Sequence, residues 1–329
     1  MKKRYRALVV SYSNNKHKLS FENRCFREVY KNEVLVKIKY SSLNYKDALS
    51  VTGKTKIIRR DCMVPGLDFS GVVQDSSSKK FVKGEKVLAT GSGLGELIDG
   101  GFSEYAYVPE DILVKVPKSL NLLSSMQIGT AGFTAAISIE KMLLNKQKID
   151  GGPIIVSGAS GGVGSFCINI LNNIGFETIA ITRKTNKKLY LEEIGAKNII
   201  MYPKKFNKKP LNNIMFAGAI DNIGGEVLDW IIKSTRDNGN IVSVGMASDT
   251  ELNTTVFPLI MRGINILGVT STNYPNKSRK KVWEKLSNQY KPTKLKIINK
   301  YCINLNEIEK FSKGLINGEK SGRTIIKMD

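Results

Sequence analysis

Short runs of apolar, β-branched residues alternate with polar turns over the first 120 positions, and helical spacing dominates only after them. Period-two alternation at residues 5–11, 33–40, 71–74, 86–88 and 103–108 predicts strands. Pro65-Gly66, Lys83-Gly84 and Gly100-Gly101 punctuate them as turns. Only residues 44–50 carry a helical period in this part. The pattern predicts a barrel-like β domain over residues 1–121.

Beyond it the pattern changes. Ser124 is placed to cap a buried helix that runs to Leu144. Residues 153–156 form an apolar run of the kind buried in a parallel sheet. The turn Ser157-Gly158-Ala159-Ser160-Gly161-Gly162-Val163-Gly164 follows, then a helix with Phe166, Cys167, Ile170 and Leu171 on one face. Further strands are predicted at residues 178–181, 198–201, 216–220, 240–245 and 264–269, with helices at 188–194, 227–235 and 278–289. Six strands with helices between them make a Rossmann-type, doubly wound α/β sheet over residues 122–290. Residues 294–301, 306–315 and 324–327 read as strand, helix and strand, so residues 291–329 are expected to return to the β domain.

The glycine turn between strand and helix is the pattern of a dinucleotide site. Residues without side chains let a pyrophosphate approach backbone N–H groups at a helix N-terminus. An NAD site usually carries an acid at the end of the second strand, for the ribose hydroxyls. Here that end reads Thr182-Arg183-Lys184, a hydroxyl and two cations. A charge-assisted hydrogen bond to phosphate contributes about 1.5–3 kcal/mol. The expectation is NADPH over NADH.

Composition narrows the partners. The formal charge of +22 raises a nucleic-acid-binding reading, but the lysines are dispersed along the whole chain. Clusters such as Lys204-Lys205 and Lys208-Lys209 lack interleaved aromatic platforms apart from Phe206. Specific nucleic-acid binding is therefore not expected, while the field suits phosphorylated small molecules. Four scattered cysteines and the single His17 offer little material for a zinc site. No apolar run reads as a membrane span and the basic start lacks a signal peptide, which makes the cytoplasm the default.

A β domain, a central Rossmann unit and a C-terminal return are the layout of the medium-chain dehydrogenase/reductase superfamily. The strings Ser42-Leu-Asn44-Tyr45-Lys46-Asp47, Lys54-Thr-Lys-Ile-Ile-Arg59, Pro65-Gly-Leu-Asp68, Gly129-Thr-Ala-Gly-Phe-Thr, Gly158-Ala-Ser-Gly-Gly-Val-Gly164 and Gly322-Arg-Thr324 resemble its zinc-independent, quinone-oxidoreductase-like branch. Among its members they look most like the acrylyl-CoA reductases that use NADPH. Zinc-dependent relatives carry Gly-His-Glu where this chain has Gly66-Leu67-Asp68.

The resemblance implies a GroES-like catalytic domain beside the Rossmann domain, and a homodimer that could pair through the sixth strand. It implies hydride transfer from NADPH to the β-carbon of acryloyl-CoA or a similar enoyl thioester. Tyr45 would border the nicotinamide; Thr130 is a candidate either to hydrogen-bond near it or to cap its own helix. Ser160, Gly161, Gly162 and Val163 would hold the pyrophosphate, and Thr182, Arg183 and Lys184 the 2′-phosphate end. Met246, Ile260 and Ser271 would contact the cofactor further along. Tyr202 stands where a relative carries arginine, so stacking replaces a cation there. Gly318 replaces a family asparagine, removing a side-chain contact. Tyr45 is the candidate acid for the α-carbon, with water as the alternative, and Asn44 a donor to nicotinamide or substrate. Arg59 and Arg323, with Arg60 and Arg262, are candidates for CoA phosphates or for ion pairs. Asp68 is expected to be structural. NADPH:quinone reduction is the second enzymatic reading. Tyr12 and Lys16 have the Tyr-x-x-x-Lys spacing of short-chain dehydrogenases but precede the glycine turn by a whole domain, and that reading is discarded.

Overall fold

The computed structural model describes residues 3–14, 16–203, 205–206 and 209–328; Lys204 and Lys208 of the basic cluster lie outside them. In chain order the first elements are β1 (Arg4–Ser13), β2 (Lys16–Cys25), β3 (Glu33–Leu43), α1 (Tyr45–Val51), β4 (Cys62–Met63), β5 (Asp68–Ser76), β6 (Lys86–Thr90), β7 (Tyr105–Pro109) and β8 (Val114–Lys115). Then come α2 (Leu122–Leu144), β9 (Ile154–Val156), α3 (Gly162–Asn173), β10 (Thr178–Thr182), α4 (Lys188–Glu193), β11 (Asn198–Met201), β12 (Phe216–Asp221), α5 (Gly225–Ser234) and β13 (Thr235–Ser243). The chain ends with α6 (Phe257–Arg262), β14 (Asn265–Gly268), α7 (Asn276–Ser287), α8 (Leu295–Ile298), β15 (Asn299–Ile303), α9 (Ile308–Ile316) and β16 (Arg323–Lys327).

Two units form. One gathers residues 1–133, 271–288 and 299–329; the other gathers 134–270 and 289–298. In the first, β2-β1-β4 is an antiparallel sheet, and β15-β16-β3-β5-β6-β8 is a larger one, with β7 also paired to β3. Val34, Val36, Ile38, Phe69, Val87, Phe102 and Val108 fill its core, all fully buried. Near the C-terminus β16 runs antiparallel to β3, from Thr324 opposite Leu43 to Lys327 opposite Tyr40, while residues 289–298 group with the second unit.

In the second unit, six parallel strands take the order β11-β10-β9-β12-β13-β14. Counted within the sheet this is 3-2-1-4-5-6, the doubly wound order. Ile155, Ile181, Ala219 and Ile241 are buried on consecutive central strands, as expected where helices cover both faces. The strand β14 is an edge.

Four local readings are corrected. The strand β2 is absent from the sequence reading because six of its ten residues are exposed and none is fully buried, which leaves little apolar alternation to see. Residues 294–301 are not one strand: α8 intervenes before β15. The cap of α2 is Asn121, whose Oδ1 accepts from Ser124 N at 2.8 Å while Ser124 Oγ accepts from Asn121 N at 2.8 Å. By length and composition α2 is also apolar enough to cross a membrane, contrary to the sequence reading, but 72% of that stretch is buried inside the fold, as in a core helix.

Candidate active site and nucleotide site

The Leu-Asn-Tyr-Lys-Asp string places α1 at the end of β3. Asn44 is its N-cap, with extended backbone. Asp47, three residues on, accepts from Asn44 N and Asn44 Nδ2, each at 2.9 Å, so the helix begins firmly at Tyr45. Tyr45 is 41% exposed. Beneath it lies a buried polar hub. The Asp68 carboxylate, fully buried, accepts from Ser42 Oγ at 2.7 Å, Thr130 N at 2.8 Å and Asn44 Nδ2 at 3.3 Å. Arg323, from β16, donates to Asn44 Oδ1 at 2.8 Å, Leu43 O at 3.3 Å and Ser42 Oγ. Its Nη2 stands 3.8 Å from Asp68 Oδ2.

Glycine is required where α2 meets this hub. Gly129 interrupts the helix at φ 50, ψ −158. A Cβ there would lie 2.5 Å from Arg323 Nη2 and 2.7 Å from Asp68 Oδ2. The break lets the helix restart at Thr130 with its N–H aimed at Asp68, where a helix N-terminus favours negative charge. The Asn44 amide is thus held by Asp47, Asp68 and Arg323 together, and Thr130 meets the hub through its backbone.

Asp47 gives the hub a pH dependence. Burial and the charge of Asp68 push its carboxyl up to about 7, against the pull of the Asn44 and Leu67 N–H donors. An unfolded aspartate releases its proton near about 3.9. Between that value and about 7 the folded chain holds the extra proton, so stability falls as pH rises through this window and levels off above it. The slope from this group is at most about 1.4 kcal/mol per pH unit. Asp47→Asn removes it. Urea midpoints from pH 4 to 8 should therefore show wild type losing ground to the variant as pH rises; parallel curves would contradict the shift.

The second unit holds the glycine turn. Ser157 Oγ donates to Asp221 Oδ1 at 2.5 Å and accepts from Asn222 N at 2.8 Å, tying the ends of β9 and β12 together. Gly224 N donates to Asp221 Oδ2 at 2.8 Å. The turn is tight at Gly158 (φ 57), and a Cβ at Gly164 would lie 2.5 Å from Gly158 O. Gly161 caps α3 with extended backbone, and no acidic residue stands in the first turn of that twelve-residue helix. Ser160, Gly161, Gly162 and Val163 are all half-buried, and Gly161 N donates back to Gly158 O at 2.9 Å, closing the turn before the helix start. That surface fits a pyrophosphate.

At the end of β10, Thr182 is buried and its Oγ1 accepts from Lys184 N at 3.1 Å. Arg183 is exposed and Lys184 half-buried. Burial, Lys187 and Arg183 lower the Lys184 ammonium from its usual value, the mark of cations crowded together. Tyr202, one residue beyond β11, donates its N–H to Thr182 O at 3.3 Å, and the Arg183 guanidinium lies 5.8 Å from its ring centroid. Burial raises its phenol, and the Gly158 amide pulls the other way. Tyr202 therefore touches the glycine turn, the end of β10 and Arg183 at once. Met246 and Ile260 are 69% and 74% exposed. Ser271 belongs to the first unit, its carbonyl accepting from Arg279 Nη2 at 2.7 Å.

The remaining predicted cations part company. Arg323 is buried in the hub. Arg262 donates to the carbonyls of Asn212, Lys233 and Thr235 at 2.7–3.0 Å and closes the end of α5. Arg59 and Arg60 are exposed, Arg59 3.5 Å from Glu96 and Arg60 on Leu97 O. His17 Nε2 lies 3.1 Å from Ser50 O, at the far end of α1 from Tyr45. Asp47, Ser157 and Asp221 went unsingled in the sequence, although the Asn44-x-x-Asp47 spacing is a legible capping signal.

Comparison with known proteins gives the family. The alcohol dehydrogenase GroES-like domain matches residues 30–118 and the zinc-binding dehydrogenase domain residues 162–288. Among the described residues no group of three or more His, Cys, Asp or Glu is placed to hold a metal. A probable acrylyl-CoA reductase, AcuI of Escherichia coli, is 35% identical over 323 residues, 98% of this chain and 99% of that protein. The putative quinone oxidoreductase YhfP of Bacillus subtilis is 35% identical over 91% of each chain, and its structure with NAD bound superposes with a TM-score of 0.94. The yhdH oxidoreductase of Salmonella enterica, solved in complex with NADP, has a TM-score of 0.94 at 35% identity and covers 98% of this chain and 100% of its own. This chain belongs to the medium-chain dehydrogenase/reductase superfamily, as a quinone-oxidoreductase-like oxidoreductase.

Proposed function

We propose that this protein is an NADPH-dependent reductase of the C=C bond of acryloyl-CoA or a similar enoyl thioester. The observation that carries the cofactor is the accessible glycine turn at the start of α3, together with cations and no carboxylate at the end of β10. NADP in the Salmonella relative supports it; NAD in the Bacillus relative makes the preference a matter for measurement. The substrate class is supported by the names of the Escherichia coli relative and of the acrylyl-CoA reductase of Ruegeria pomeroyi, 33% identical over 296 residues.

When bound, NADPH supplies the hydride. Ser160 to Val163 would hold its pyrophosphate at the start of α3, with the Gly161 N–H already given to Gly158 O, and Thr182, Arg183 and Lys184 would take the 2′-phosphate, with Tyr202 backing Arg183. Within the second unit, Met246 and Ile260 would contact the cofactor further along. Tyr45 donates a proton from its hydroxyl to the substrate α-carbon. Asn44, spent on the hub, is the positioning residue that fixes where Tyr45 starts α1. Thr130 N–H steadies Asp68.

NADPH oxidation measured with acryloyl-CoA and, separately, with a small benzoquinone decides between this and quinone reduction, the reading the Bacillus relative's name favours. We expect the thioester to win by at least about tenfold in kcat/KM, and NADPH to exceed NADH by about tenfold to hundredfold. Faster turnover of the quinone would overturn the substrate, and equal rates with both nucleotides the preference. The edge strand β14, with exposed Val256, Phe257, Met261 and Ile266 on or near it in sequence, fits pairing with a second copy. Solution scattering should then return a dimer mass.

A further inference from the structure

After α1 the chain runs through a cationic strap. Lysine and arginine make up 51 of 329 residues overall, yet four of the seven from Lys54 to Arg60 are cations. The strap is not a loose charge run. Ile58 is buried against Val10 and Met63. Arg59 N donates to Glu96 O at 2.9 Å, and Tyr12 N to Asp61 O at 2.8 Å. Near the other end Thr55 N donates to Leu49 O at 3.5 Å, while Lys54, Lys56, Arg59 and Arg60 stay exposed.

The strap is also tied to the start of α1. Glu96 bridges Lys46, the neighbour of Tyr45, and Arg59, whose Nε is 3.5 Å away. Its counter-charges are weak competitors. The Lys56–Asp61 pair is long, at 3.9 Å, and half or more exposed on both sides. The Arg59 side chain is 67% exposed. Such cations exchange readily to phosphate oxygens, which accept stronger charge-assisted hydrogen bonds.

We propose that Lys54, Lys56, Arg59 and Arg60 form the docking site for the 3′-phosphorylated adenosine diphosphate of an acyl-CoA. The inference rests on the enoyl-thioester reading and assigns the nucleotide handle of that substrate to one fixed strap. Its cations hold the handle, leaving the thioester end free for the residues at the start of α1. Placement, not chemistry, is what the strap supplies.

The test compares acryloyl-CoA with acryloyl-pantetheine, which lacks the nucleotide, using NADPH and wild type or Lys54→Gln/Arg59→Gln/Arg60→Gln. Wild type should prefer the CoA thioester by about tenfold to hundredfold in kcat/KM, mostly through KM, and the variant's preference should collapse toward one. Calorimetry of 3′,5′-ADP on protein saturated with NADP gives a readout apart from turnover: the variant should bind at least about tenfold more weakly. Equal use of both thioesters by wild type, or unchanged 3′,5′-ADP affinity in the variant, overturns the proposal. If wild type fails to reduce acryloyl-CoA at all, the enoyl-thioester reading falls, and the calorimetry alone decides the strap.

Discussion

Arg323→Met is expected to lower the unfolding free energy by about 3–5 kcal/mol, the range for removing one partner of a buried ion pair. Both side chains of the Arg323–Asp68 pair are at most 2% exposed. Without the guanidinium, Asp68 keeps its Ser42, Thr130 and Asn44 donors but loses its counter-charge, with Asp47 close by. Asn44 also loses the donor that fixes its Oδ1. Urea midpoints measure the loss. Adding Asp68→Asn should recover a large part of it, because the uncompensated charge goes with the carboxylate. A single variant within about 1 kcal/mol of wild type would show that the pair does not hold the hub.

Tyr45→Phe is expected to reduce turnover of acryloyl-CoA by about a hundredfold or more, the usual contribution of a positioned general acid. The change removes one oxygen from a side chain that is 41% exposed, so the urea midpoint should stay within about 0.5 kcal/mol of wild type. KM should move little, since the hydroxyl acts in the transition state rather than in binding. Wild-type turnover in the variant would assign the proton to water and leave Tyr45 as a packing residue.

The Rossmann unit was legible because its signals are local. A glycine turn, a helix face and strands with β-branched runs each declare themselves within a dozen residues, and their order dictates the sheet. The hub was not legible, because Ser42, Asp68, Thr130 and Arg323 come from four distant segments. Asp68 and Arg323 could each be singled out in their strings, but nothing in either string says that they meet. Their pairing is a property of β16 lying antiparallel to β3, beside β5. The strand β2 failed for another reason: a strand with little buried surface has little hydrophobic period to read.

Cys167 lies fully buried one turn behind the glycine turn, its thiol pushed well up by desolvation, while Cys25, Cys62 and Cys302 are exposed. A thiol-specific dye therefore meets three sulfurs at once and the fourth only when the cofactor helix opens. The rate of that last labelling event is a native clock for local breathing at the nucleotide site, and a bound dinucleotide should slow it.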